Sequence, residues 1–196
     1  LFDRSSRQAK LTAAGHELLR EGERLLADMD AIANRVKRVA TGWESQFTIA
    51  VDGIIDRTTV MELCEAFMAL NAPTRLKLRD ETLTGTLEAL TSGQADLALG
   101  IAGSFSESGT ASGIHSHTLG PMRFVFAMAP HHPLAQAPEP LTDTLIGQHR
   151  AVAVADSVQR GAGVTIGLLP GQDVFTVSNM HSKIEAQVRG LGVGFV

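Results

Sequence analysis

The chain has 196 residues, a net charge of −4, 44% hydrophobic and 19% charged residues, and a single cysteine. That length holds one good-sized domain or two small ones, and that balance belongs to a soluble globular protein. Cys64 alone excludes an intrachain disulfide and fits a reducing cytosol. No apolar run approaches the length of a membrane span, and nothing resembles a signal peptide. The chain opens at Leu1 and stops inside an apolar run at Val196, which reads as an excerpt of a longer protein.

In residues 1–11, Arg4, Arg7 and Lys10 stand against Asp3, three cations to one anion in a chain that is acidic overall. Arginines on a turn can hold phosphates bidentately, a contact that positions a protein on DNA without reading its sequence. The alternative is a solvated basic turn. Thr12 is a natural N-cap for a long helix. Leu11, Gly15, Leu18, Gly22, Leu25, Met29, Ile32, Val36 and Val39 recur alternately four and three residues apart, the spacing of a coiled-coil seam. Between them lie Glu17, Arg20, Glu21, Glu23, Arg24, Asp28, Asp30, Arg35, Lys37 and Arg38. A helix of this length reaches about 40 Å. One narrow seam on so charged a helix calls for a partner helix, most simply its copy in a second subunit. Packing on the chain's own body is the alternative. Gly15 and Gly22 lie on the seam and cost about 1 kcal/mol each relative to Ala, but they let something cross the helix tightly. Gly42 is placed to stop the helix, and Trp43 to pack at the junction.

The run Leu1-Phe2-Asp3-Arg4-Ser5-Ser6-Arg7-Gln8-Ala9-Lys10-Leu11-Thr12-Ala13-Ala14-Gly15 fills every specified position of L-F-x-R-x-x-R-x-x-x-L-T-x-A-G. It resembles the wing and the start of the linker helix in LysR-type transcriptional regulators. The resemblance implies a winged helix-turn-helix DNA-binding domain, whose helix-turn-helix would lie before Leu1. It also implies a dimerising linker helix and a two-lobed sensor domain similar to periplasmic binding proteins, with small effectors bound in the cleft between lobes.

After the linker, Phe47–Val51 reads as a buried strand ended by Asp52-Gly53. A helix beginning near Thr58 or Thr59 and stopping before Pro73 carries Val60, Leu63, Cys64, Phe67 and Met68 on one face. Residues 75–79 alternate as a half-buried strand, a short helix from Thr84 turns Leu87 and Leu90 inward, and residues 96–101 form the next strand. Strand, helix, strand, helix, strand at this spacing is an α/β unit with a mostly parallel sheet.

Residues 102–113, rich in Gly and Ser, read as a loop. Strands are expected at Ile114–Leu119 and Arg123–Met128, the second crossing into another lobe. A short helix at Leu141–Gly147, strands at Ala151–Ala155 and Val174–Val177, and a helix at Asn179–Gly190 with Ile184 and Val188 inward complete the order. Gly190–Val196 then runs from a helix stop into a strand. The motifs A-P-x-H-P-L at 129–134 and G-L-G-V at 190–193 are similar to those at corresponding places in the LysR sensor domain.

No catalytic set assembles. His131 and His132 point apart between prolines and read as a turn. His115 and His117 would share a strand face but lack a carboxylate or thiol to complete a metal site. Cys64 falls on an apparent core face, no G-x-S-x-G occurs, and the glycine pairs fail the dinucleotide fingerprint. Asp80-Glu81 reads as a solvated strand end. A binding site is better supported, because ligands collect at the C-terminal ends of strands in α/β sheets and anions at helix N-termini. That rule selects Asp52, Gly53, Ile54, Thr58, Gly100 and Ile101 in the first lobe. In the second it selects Asp156, Ser157, Ser178, Asn179, Met180 and His181. Asp52 and Asp156 could equally serve as caps.

The expected architecture is therefore α/β: the wing end of a winged helix-turn-helix (1–11), a dimerising linker helix (12–41), and a two-lobed, type 2 periplasmic-binding-protein-like effector domain (47–121 and 122–196). The expected function is that of a cytoplasmic LysR-type regulator, neither an enzyme nor a membrane protein and without a cofactor or metal. Its partners would be double-stranded promoter DNA through Arg4, Arg7 and Lys10, a small effector, and further copies of itself through Leu18, Gly22, Leu25, Met29, Ile32, Val36 and Val39, as a homodimer or homotetramer. A solute-binding receptor or transport component of the same two-lobed class is the alternative.

Overall fold

The computed structural model describes residues 1–3, 10–101 and 113–196, with the side chains of Asp3, Asn34 and Lys37 left aside. Arg4, Arg7 and nearly all of the expected 102–113 loop lie outside the described residues. The chain forms two compact units, one of Leu1–Phe47 with Glu65–Lys77 and the other of Thr48–Cys64 with Leu78–Val196.

In the first unit, β1 (Phe2–Asp3) and β2 (Lys10–Leu11) pair antiparallel, Phe2 opposite Leu11 and Asp3 opposite Lys10. The helix α1 (Ala13–Thr41) comes directly after β2 and its cap. Thr12 caps it, its hydroxyl accepting from Gly15 N–H at 3.2 Å, and Gly42 ends it in a left-handed conformation (φ 75°) with its N–H on Arg38 O at 2.7 Å. Gly15 is where the tight crossing occurs: a Cβ there would run into the carbonyl oxygen of Leu1, which also accepts from Thr12 N–H at 3.0 Å. Gly22 meets nothing within 4 Å, so the crossing expected there is not found among the described residues. Leu18, Leu25, Met29, Ile32, Val36 and Val39 are all exposed, from 57% to 83%, and Leu19 and Leu26 widen the stripe. Past the helix, Trp43 packs edge-on against Phe67 with ring centroids 6.3 Å apart.

β3 (Gln46–Asp52), mostly in the second unit, lies at the centre of a sheet ordered β4-β3-β5, where β4 is Arg75–Glu81 and β5 is Leu97–Leu99. β3 and β5 run parallel with Ile49 opposite Leu97 and Val51 opposite Leu99. The crossovers are α2 (Arg57–Ala69) and α3 (Thr84–Thr91). The core under α3 is built of small residues, Ala50, Ala89 and Ala95 with Ala98 against them, so helix and sheet approach closely.

Two helix faces differ from expectation. On α2 the inward line is Val60, Cys64 and the half-buried Phe67, while Leu63 and Met68 are 43% and 64% exposed. The spacing i, i+4, i+7 excludes residues one position to either side of it. On α3 the buried residues are Gly85, Thr86 and Ala89, with Leu87 and Leu90 half-buried at the edge. The strand expected at Ile114–Leu119 is absent, its residues having no ladder partner among the described residues, and the crossing strand shortens to β6 (Phe126–Ala127).

The second lobe has two small ladders. β7 (Ala151–Val154) pairs in parallel with β8 (Val174–Val177), and β6 pairs antiparallel with β9 (Gly194–Phe195), Phe126 packing on Phe195 at 5.3 Å. The turn expected at His131-His132 is present, with His132 N–H on Ala129 O at 2.9 Å, and leads into a 3₁₀ segment, Pro133–Gln136, which buried His132 caps by accepting from Leu134 N–H at 3.3 Å. Short α4 (Asp143–Ile146) is capped by Thr142, and α5 (Met180–Val188) by Asn179, whose side chain accepts from Ser182 N–H at 2.8 Å.

The α5 face is a further correction. Ile184 and Val188 are 47% and 64% exposed, and Lys183, Ala186 and Gln187 are buried instead. Gln187 explains the register: its amide donates to Gly194 O at 2.9 Å and pins the helix to β9. The Lys183 ammonium has no hydrogen-bond or ion-pair partner among the described residues, and burial lowers its pKa from the usual 10.5. A folded-state pKa below the unfolded one means that the unfolded chain binds more protons between the two values, so stability rises with pH across that window. Replacing Lys183 with Met therefore raises the thermal midpoint at neutral pH and flattens the rise in stability toward alkaline pH; thermal melts of both proteins across that range check it.

The candidate ligand cleft

The C-terminal ends of β3 and β4 face the N-terminal end of α5 across a cleft of about 640 Å³, a volume suited to a small organic ligand. One wall is the turn from Asp52 to Arg57 with Asp80, Glu81 and Thr82; the other is Ser178 to His181 with Ile184 and Ser157. Met122, Arg123 and Phe124 of the crossing segment complete it. The apolar lining from Ile54, Ile55, Val60, Met122, Phe124, Met180 and Ile184 gives a ligand somewhere to bury carbon.

The carboxylates around the cleft are engaged by the protein itself. Asp52 is 5% exposed; one oxygen accepts from Ile54 N–H at 3.1 Å, the other from Leu83 N–H at 2.8 Å and the Thr86 hydroxyl at 3.0 Å. Burial raises its pKa, and those donors offset part of the rise. Asp56 caps α2 through Thr59 N–H at 3.0 Å, which holds its pKa below the usual range. Asp80 receives Arg57 at 2.9 Å, and this pairing raises the arginine's pKa. Buried Glu81 accepts from Arg79 at 2.8 Å and 3.0 Å and from the Ser157 hydroxyl at 2.6 Å, so the solvated strand end expected at 80–81 is correct for Asp80 and not for Glu81. Arg123 and His181 line the cleft with no hydrogen-bond or ion-pair partner among the described residues. No group of three or more His, Cys, Asp or Glu is placed to hold a metal among the described residues.

The profile of the LysR substrate binding domain matches residues 40–196. The chain belongs to the LysR family. It is 37% identical over 196 residues to "Uncharacterized HTH-type transcriptional regulator YeeY" of Escherichia coli strain K12, covering 100% of this chain and 62% of that protein. It is 35% identical over 193 residues to "Probable HTH-type transcriptional regulator YhaJ" of the same organism, covering 98% of this chain and 63% of that protein. The chain thus spans less than two thirds of the length of these curated relatives. Among solved structures, the full-length BenM E226K mutant superposes with a TM-score of 0.53 at 19% identity, covering 100% of this chain and 65% of that one. The effector binding domain of QuiR in complex with shikimate gives 0.52 at 11% identity, over 77% of this chain and 72% of that one. These similarities establish the fold of a LysR effector domain, α/β and periplasmic-binding-protein-like.

Of the residues that the strand-end rule selects, this LysR domain brings Asp52, Gly53, Ile54, Ser157, Ser178, Asn179, Met180 and His181 into the cleft lining, and leaves out Thr58, Gly100, Ile101 and Asp156. Gly100 (φ 87°) lies behind the cleft wall, where a Cβ would sit 2.8 Å from Ile55 and 3.0 Å from Asp52 Cβ. Asp156 caps rather than lines: its carboxylate accepts from the Thr84 hydroxyl at 2.6 Å and from the N–H groups of Val164, Gly85 and Val158 at 2.9–3.1 Å. Burial opposes its ionisation, but those donors prevail and hold its pKa below the usual range. Sequence reasoning missed Glu81 and Thr82, although the same strand-end rule applied to β4 selects them. It also missed Arg123, for which the sequence carries no signal.

Both oxygens of Asp52 receive only donors, so an asparagine there must turn its NH₂ toward an N–H or a hydroxyl hydrogen. Asp52→Asn is expected to lower stability by about 1–3 kcal/mol, the range for leaving a buried group unsatisfied, despite removing a buried charge. Denaturant titration of the two proteins checks it, and an equally stable variant would remove Asp52 from this role.

Proposed function

We propose that this chain is part of a cytoplasmic LysR-type transcriptional regulator whose hold on promoter DNA is set by a small molecule in the cleft. Residues 1–11 would end the winged helix-turn-helix, 12–41 would pair subunits, and 47–121 with 122–196 would be the two effector lobes. One observation carries the reading: a LysR-family chain combines a ligand-sized cleft with a long helix whose apolar seam stands in water. A seam of Leu18, Leu25, Met29, Ile32, Val36 and Val39, each more than half exposed, fits knobs-into-holes packing against a second copy. Gly22, with open space beside it, would let two such helices approach closely. Lys10, exposed on β2, would touch phosphate together with Arg4 and Arg7. In the cleft, Gly53, Ile54, Ser178, Met180 and His181 are the proposed effector contacts. The shikimate-bound QuiR domain is a protein of similar fold with a small molecule bound, which supports a small-molecule role for this cleft. A small effector would then act by preferring one of two assemblies.

Binding of the full-length gene product to DNA upstream of its own gene and of its divergent neighbour, at two salt concentrations, tests the proposal. The expected footprint has two half-sites and survives competitor DNA. Weak, sequence-indifferent binding would sink the regulator reading. Arg4→Ala with Arg7→Ala should lower affinity and reduce the slope of log K against log salt by roughly 2; an unchanged slope removes the wing from the interface. Leu25→Glu with Ile32→Glu should convert the protein to monomers in sedimentation, and an unaltered oligomer would move the subunit contact off the seam.

A further inference from the structure

At one end of the cleft, the segment after β7 is fastened to the segment that opens α3. Backbone and side-chain bonds alternate along it: the Thr82 hydroxyl donates to Ala155 O at 2.6 Å, Thr82 N–H donates to the Ser157 hydroxyl at 2.9 Å, and that hydroxyl donates to Glu81. Two carboxylates then cross in opposite directions. Asp156 of the second lobe accepts from the Thr84 hydroxyl and Gly85 N–H at the start of α3. Glu88, one turn along α3, accepts from Gln159 N–H at 2.6 Å and Arg160 N–H at 3.1 Å. Gly85 makes the approach possible, because a Cβ there would overlap the Ser157 hydroxyl and lie 2.8 Å from Ser157 C and 2.9 Å from Val158 N. Its backbone is ordinary helix, so the missing side chain serves the approach and not the conformation.

We propose that these segments form a polar clasp which holds the lobes at a closed separation at this end of the cleft. Carboxylates on backbone N–H groups are strong, directional contacts, and here each lobe supplies one. The Met122–Phe124 segment, at another part of the cleft, has no such fastening among the described residues, so that is where the cleft admits its occupant. A ligand entering a clasped cleft does not have to supply the free energy of bringing the lobes together.

The test is the interlobe distance in the full-length protein without any ligand. Spin labels go on cysteines introduced at exposed Glu62 of α2 and Val188 of α5, with buried Cys64 replaced by Ala and the labelled protein diluted in unlabelled so that only intramolecular pairs are read. Double electron–electron resonance is expected to show one narrow distribution. Gly85→Ala should shift it longer and broaden it, although alanine is the better helix former. Glu88→Gln, which leaves the close approach untouched, should do the same to a smaller extent and serves if Gly85→Ala does not fold. A distribution already broad in the parent protein, or one that neither variant alters, overturns the clasp. DNA binding plays no part in the readout, so failure of the regulator reading and failure of the clasp are separately visible.

Discussion

The buried carboxylate of Asp52 is the constraint on which the cleft wall depends. It sits where β3 ends, and its oxygens gather the N–H of Ile54, the N–H of Leu83 and the hydroxyl of Thr86. Leu83 is held with φ of 54°, a conformation that a leucine adopts only when its surroundings dictate it. With Leu83 N–H turned toward Asp52, Thr82 is free to bond across to Ala155 and Ser157, and Gly85 is brought under Ser157. The end of one strand, the start of α3 and the loop of the second lobe therefore share a single anchor. Burial favours the protonated form of Asp52, and its three donors favour the ionised one. The cost of burying the carboxylate is retained because the same three bonds set the turn, the strained residue and the helix start.

The first unit is governed by a different kind of constraint, an apolar stripe that the described residues leave exposed. The ion pairs along α1, Arg24 with Glu21 at 2.9 Å and Arg20 with Glu17, lie in water and contribute a few tenths of a kcal/mol each. They cannot offset glycines at 15 and 22, each costing about 1 kcal/mol. The helix must draw its stability from packing. Gly15 is covered by Leu1, while the six large seam residues beyond it stay exposed. That imbalance, more than the heptad spacing alone, supports the proposed pairing with a second copy.

What the sequence made legible was whatever a local rule decides. The Thr12 cap and the Gly42 stop come from short-range chemistry and stand where it puts them, and the strand–helix–strand order leads to the parallel β3–β5 unit. The helix faces are legible only in part, because apolar identity is not by itself a sign of burial. Alanines at 50, 89 and 95 and a glycine at 85 form the interior around α3, since close approach there rewards small side chains over leucines. On α5 the amide bond from Gln187 to Gly194 fixes the rotation of the helix, and a lysine goes inside as a consequence. Bonds of that kind join residues far apart in sequence or on different elements, and no periodicity announces them.

The same distinction governs the cleft. Strand ends were legible, so the turn after β3 and the residues before α5 could be named, but which charges remain available was not. Four carboxylates, Asp52, Asp56, Asp80 and Glu81, lie in the lining. In the folded protein each is satisfied by the chain itself: Asp52 and Asp56 by backbone donors, Asp80 by Arg57, and Glu81 by Arg79 and Ser157. Arg123 and His181, by contrast, line the cleft without a partner among the described residues. The hydrogen-bonding groups still open to a ligand are set by what the protein leaves unpaired, and in this cleft Arg123 and His181 are among them.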